Sequence, residues 1–99
     1  MVLIEIDRHE ARKTGAYIRW YVVGLGPIEE VYRPLLSSAS PSKTHWREAY
    51  DIPIGTKLIR VRYNNRGNFT IQLYEVTEQG LKLIKAEREL KRIAEILTK

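Results

Sequence analysis

The feature that most constrains this chain is residues 56–76, TKLIRVRYNNRGNFTIQLYEV, where two alternating apolar–polar runs flank an Asn/Gly cluster. Alternation rich in β-branched and aromatic residues, broken by Asn and Gly, is the signature of a β-hairpin. A three-residue loop of Asn65, Arg66 and Gly67 suits a type I turn followed by a left-handed residue, a conformation glycine adopts without steric cost. The expected register sets Tyr63 against Phe69, Val61 against Ile71 and Ile59 against Leu73, which makes one face wholly apolar. Arg62 beside Thr70, Arg60 beside Gln72 and Leu58 beside Tyr74 then form the opposite face. A slip of one residue would set Arg62 against Ile71 and mix the faces, so the register is strongly specified. Residues 52–74 hold no acid, while Lys57, Arg60, Arg62 and Arg66 supply positive charge.

The remaining segments are arranged around that hairpin. Residues 2–9 alternate, with Val2, Ile4 and Ile6 on one side and Leu3, Glu5, Asp7 and His9 on the other. After a polar, mostly basic loop, residues 17–23 form the second expected strand, with Ile18, Trp20 and Val22 facing the core and Tyr17, Arg19 and Tyr21 outward. So short a connection implies antiparallel pairing. Pro27 opens a short helical turn through Ile28, Glu29 and Glu30, or residues 30–36 form a short strand broken at Pro34; both stand open. Ser40 before Pro41 fits an N-cap and first helical position, which predicts a short helix over residues 41–50. Beyond a turn at residues 77–80, residues 81–85 return as a fifth strand, with Lys82 against Glu75 and Ile84 against Leu73. From residue 86 the period becomes helical, with Ala86, Leu90, Ile93, Ala94 and Leu97 on one side. The expected architecture is α+β: an antiparallel sheet of four to five strands, built from two hairpins and covered on one face by a C-terminal helix.

Ninety-nine residues make one domain, residues 1–99, and 43% hydrophobic with 29% charged residues is a globular composition. Without cysteine there is no disulfide framework or thiolate metal site. The opening MVLIEID meets Glu5 after three apolar residues, too soon for a signal peptide or membrane span, so a cytoplasmic address is expected. A net charge of +5 favours polyanionic partners. High Lys, Arg and Glu with few Asn and Gln is a compositional habit of hyperthermophile proteins.

Catalytic motifs are absent, and no cofactor or metal is expected. Glu5, Asp7 and His9 share a strand face, where pairing with Arg19 or other arginines is the plainer reading than metal or proton chemistry. Binding rests on a combination of features. With both hairpins in one sheet, the face away from the helix gathers Tyr17, Arg19, Tyr21, Arg60, Arg62, Gln72 and Tyr74. Arginines neutralise phosphates, and flat rings stack unpaired bases at roughly 1–3 kcal/mol each. Arg19, Arg60, Arg62 and Arg66 are the expected phosphate contacts, and Tyr21, Tyr74 and Trp46 the stacking rings. Lys43, Trp46 and Arg47, with His45, would form a clamp beside the loop; Trp46 reads equally as a core residue. Tyr and Arg also decorate merely solvated sheets, but charge, rings and the acid-free hairpin coincide here.

A basic antiparallel sheet bearing tyrosines and arginines, ending in a heptad-spaced stripe over residues 90–97, resembles the ThermoDBP-type single-stranded-DNA-binding proteins of thermophilic archaea. The resemblance covers the strands and the C-terminal segment. It implies single-stranded DNA bound without an OB-fold, and a homodimer. The function expected is therefore non-enzymatic binding of single-stranded nucleic acid, DNA slightly ahead of RNA. A ribosome-associated RNA binder and a protein-interaction module are the alternatives. The C-terminal stripe either docks on its own sheet or zips two chains together; its breadth favours docking.

Overall fold

The computed structural model describes residues 1–37 and 44–86. Its strands are β1 (Val2–Ala11), β2 (Ala16–Val22), β3 (Gly26–Pro27), β4 (Leu36–Ser37), β5 (His45–Ile52), β6 (Lys57–Tyr63), β7 (Phe69–Thr77) and β8 (Gly80–Ala86). The one helix among the described residues is α1, four residues from Ile28 to Val31. All strands join a single antiparallel sheet in the order β4-β5-β1-β2-β6-β7-β8, with β3 paired to β2 off that path. The expected α+β class is thus corrected to a nearly all-β fold.

The central hairpin has the register its alternation dictates, with Tyr63 opposite Phe69, Val61 opposite Ile71 and Arg60 opposite Gln72. The loop closes as its chemistry requires. Gly67 adopts φ +83° and donates its amide to the Asn64 carbonyl, and Asn64 Oδ1 accepts the amides of Arg66 (2.9 Å) and Asn68 (3.0 Å). Across β7 and β8, Lys82 meets Glu75, as charge pairing predicts. A bulge between Leu73 and Tyr74 then shifts the register, so Leu73 opposes Lys85 rather than Ile84.

Residues 45–52 correct the expected short helix over 41–50. They form β5, matched residue for residue with β1 from Val2↔Ile52 to His9↔His45. The sequence HWREAYDI has a period-two pattern, and its Trp, Tyr and Ile fit a pleated surface better than a helix. A long partner strand satisfies its backbone, which outweighs the local capping signal at Ser40 and Pro41, two positions outside the described residues. Pro27 does open a helical turn, α1, and a two-residue strand, β4, follows it.

Among the described residues the core is built from strands folded over one another rather than from a sheet under a helix. β1 pairs with β2 only over His9–Ala11; its first half departs to lie against β7 and β8, carrying β5 with it. Ile4 and Ile6 of β1, Tyr50 and Ile52 of β5 and Ile28 of α1 thereby join Ile18, Trp20, Val22, Leu58 and Val76 in one buried cluster. One face of β2–β6–β7 is covered by strands from the same sheet. A second, smaller cluster of Ile59, Val61 and Ile71 lies on the opposite face, with Tyr17, Tyr21 and Leu73 packed against it. The covering helix predicted from Ala86 onward is corrected at its start, because Ala86 ends β8 opposite Gln72; its remainder, residues 87–99, lies outside the described residues.

Candidate nucleic-acid interface

The register between β2 and β6 decides what each face presents. Trp20 pairs with Arg60 and Tyr21 with Ile59, so Ile18, Trp20 and Val22 share a face with Arg60 and Arg62. Tyr17, Arg19 and Tyr21 lie on the other face, with Ile59, Val61 and Tyr63. The expected basic-aromatic face, with Arg19 and Tyr21 beside Arg60, Arg62 and Tyr74, is therefore divided between the two sides of the sheet.

Arg60 is engaged inside the fold. Its Nε and Nη2 donate to the two oxygens of Asp7, at 3.1 and 2.7 Å, and its Nη1 donates to Gln72 Oε1 at 3.2 Å. Tyr74 donates its hydroxyl to the same Gln72 oxygen, and its ring packs on Trp20 with centroids 5.4 Å apart. The Trp20 indole N–H donates to the Asp7 carbonyl at 2.8 Å. Burial alone would raise the Asp7 carboxyl, but the hydrogen bonds and charge of Arg60, helped by the Trp20 indole, hold it below its ordinary value. Such a group stabilises the fold fully above the usual carboxylate pKa, about 4, and that stability is lost as pH falls through the lowered folded value. Asp7→Asn should cost about 1–2 kcal/mol at neutral pH, allowing for the solvent screening of a partly exposed carboxylate. It should also flatten the acid limb of stability against pH, measured by urea unfolding. An acid limb parallel to that of the parent would assign the loss to other carboxylates.

Other predicted contacts are also occupied. Arg19 reaches Glu10 at 3.4 Å and lies over the Tyr17 ring at 4.3 Å. Arg47 reaches Glu5 at 3.5 Å. The Trp46 indole donates to Glu48 Oε2 at 3.0 Å, with the Arg8 guanidinium 6.0 Å from its ring centre, so this tryptophan is half-buried in a polar cluster. Tyr21 packs on the Ile59–Val61–Ile71 cluster. Lys43 is outside the described residues.

Four cations stand close together at one end of the sheet. The β1–β2 loop carries Arg12 and Lys13, and the β6–β7 hairpin carries Arg62 and, at its tip, Arg66; all four are exposed. Among the described residues no carboxylate pairs with any of them. The two loops are neighbours, because Tyr17 opposes Tyr63 and Thr14 shares a groove with Asn64 and Asn65. At this same end a row of rings crosses three strands: Tyr17 stacks on Tyr63 at 5.4 Å, and Tyr63 meets Phe69 at 4.8 Å. Phe69 is 46% exposed. Burial pushes the Tyr17 phenol above its usual value in spite of Arg19.

Of the nine predicted site residues, Arg62 and Arg66 therefore lie at this end, together with Arg12, Lys13, Tyr63 and Phe69, which sequence reading did not select. Tyr63 and Phe69 were legible as a pair but read as core, because alternation cannot say where an apolar face runs out of cover. Among the described residues no group of three potential metal ligands occurs. No family model, curated protein or solved structure is significantly similar to this chain.

Proposed function

We propose that the protein binds single-stranded nucleic acid, without catalysis, at the hairpin end of its sheet. The observation that carries the reading is the Tyr17–Tyr63–Phe69 row beside the loop cations Arg12, Lys13 and Arg66, with Arg62 at the same end on the opposite face. Rings in a row accept successive unpaired bases regardless of sequence, and nearby cations without carboxylate partners can neutralise phosphates with no ion pair to break. Single-stranded DNA ahead of RNA is part of this proposal and rests only on the ThermoDBP-type resemblance drawn from the sequence; that resemblance would also imply a homodimer.

Salt titration tests this directly. With three or four phosphates neutralised on a single strand, log K should fall against log[salt] with a slope of roughly −2 to −3. Replacing Arg12, Lys13 and Arg66 together by Ala should make the slope shallower by about 2, whereas Arg47→Ala should leave it nearly unchanged because that cation already has Glu5. Equal and negligible affinity for single-stranded DNA, single-stranded RNA and duplex at low salt would overturn the proposal.

A further inference from the structure

On the face opposite the aromatic row, a groove of about 450 Å³ runs between the end of the β1–β5 pair and the β6–β7 hairpin. Its size falls within the range of small-ligand sites, roughly 300–1,000 Å³. One wall is the cross-strand pair His9 and His45, with rings nearly parallel and centroids 3.8 Å apart. The other wall is Arg62 with Asn64 and Asn65, and the base is apolar, from Ala16 and Ile18.

The polar groups have defined roles. His9 Nδ1 lies 2.9 Å from the Thr44 carbonyl, which can only accept, so the proton sits on Nδ1 and Nε2 is left for a ligand. Asn64 spends its carbonyl oxygen on the loop amides, so only its NH₂ remains to donate. Asp7 also borders the groove, but its charge is met by Arg60. Among the described residues Arg62 is then the cation in the groove that no carboxylate meets, and a guanidinium matches phosphate geometry with two parallel donors.

A flat ring pair, amide donors, an apolar base and the Arg62 guanidinium together match a ring joined to a phosphate. We propose that this groove binds a nucleoside monophosphate group, with the phosphate on Arg62 and the base beside the stacked histidines. The group has two sources: a free mononucleotide, or the phosphorylated end of a strand held on the aromatic row. The second source rests on the strand-binding reading; the first does not.

Titration calorimetry and imidazole NMR signals of the full chain separate the arms, with adenosine monophosphate, adenosine, inorganic phosphate and an oligodeoxynucleotide with or without a 5′- or 3′-phosphate as probes. Adenosine monophosphate should bind at least tenfold more tightly than adenosine or inorganic phosphate and should shift the His9 and His45 signals. Arg62→Ala, a change at an exposed side chain, should remove that preference while the circular dichroism spectrum stays that of the parent. A terminal phosphate that strengthens oligonucleotide binding through Arg62 would identify the strand end as a source. No binding of the mononucleotide and no gain from a terminal phosphate would overturn the inference, even if the unphosphorylated strand binds. Inorganic phosphate binding as tightly as the mononucleotide would reduce the groove to a simple anion site and would also overturn it. If no oligonucleotide binds but adenosine monophosphate does, the groove stands and the strand-binding reading falls.

Discussion

Trp20→Ala is expected to cost about 3–5 kcal/mol of stability, enough to unfold much of the population of a domain whose total stability is of order 5–15 kcal/mol. Trp20 is 3% exposed and belongs to the cluster that contains Ile4, Ile6, Tyr50 and Ile52 from the overlying strands. It stands where β1 parts from β2, and its indole N–H bonds to both the carbonyl and the carboxylate of Asp7. Removing it opens a cavity between the two halves of the folded sheet. It also releases the Asp7 carbonyl and takes away the ring on which Tyr74 packs. Trp20→Phe keeps most of the apolar volume but loses the N–H and part of the ring, so about 1–3 kcal/mol should go. Arg19→Ala, at an exposed ion pair one residue away, should stay within about 0.5 kcal/mol of the parent. Urea unfolding of the three variants makes the comparison. A loss below 1 kcal/mol for Trp20→Ala would mean that the strands are not held together through this side chain.

Phe69→Ala is expected to weaken single-strand binding by about 5- to 150-fold, the equivalent of one base stack worth roughly 1–3 kcal/mol. The ring ends the Tyr17–Tyr63–Phe69 row at its most exposed position, so its truncation removes platform rather than core. The cross-strand contact with Tyr63 contributes only about 0.2–1 kcal/mol to the fold, so thermal unfolding should move far less than affinity. Because the loss comes from stacking, the salt slope should stay at the parental value while the intercept drops. The Arg12, Lys13 and Arg66 variant predicts the reverse pattern, a shallower slope. A Phe69→Ala protein that binds like the parent would place the bases elsewhere on the sheet.

Local pattern determined a good part of this molecule. The register of the central hairpin follows from alternation over residues 56–76, and its tip from Asn64 and Gly67, because both are short-range consequences of pleat and turn geometry. The strand character of residues 2–9 and 17–23 was equally legible. The inward set Ile18, Trp20 and Val22 is indeed buried. Residues 45–52 were not legible as a strand, since their pairing partner lies some forty residues away in β1 and a nearby capping signal pointed to helix.

Only the tertiary structure decided which face of β2 meets which face of β6. On β6 both Leu58 and Ile59, neighbours with opposite directions, are fully buried, so the strand has two core faces and alternation cannot choose between them. Arg60 faces the main cluster because Asp7, fifty-three residues away, supplies its counter-charge; a sequence pattern counts that arginine as outward and polar. The position of Asp7 depends in turn on β1 leaving β2 after three paired residues, a bend set by packing rather than by any local signal. The sequence by itself therefore determined the composition of each strand face. The folded sheet determined which faces meet, which arginines are held by carboxylates, and that Arg12, Lys13, Arg62 and Arg66 stand at the same end as the Tyr17–Tyr63–Phe69 row.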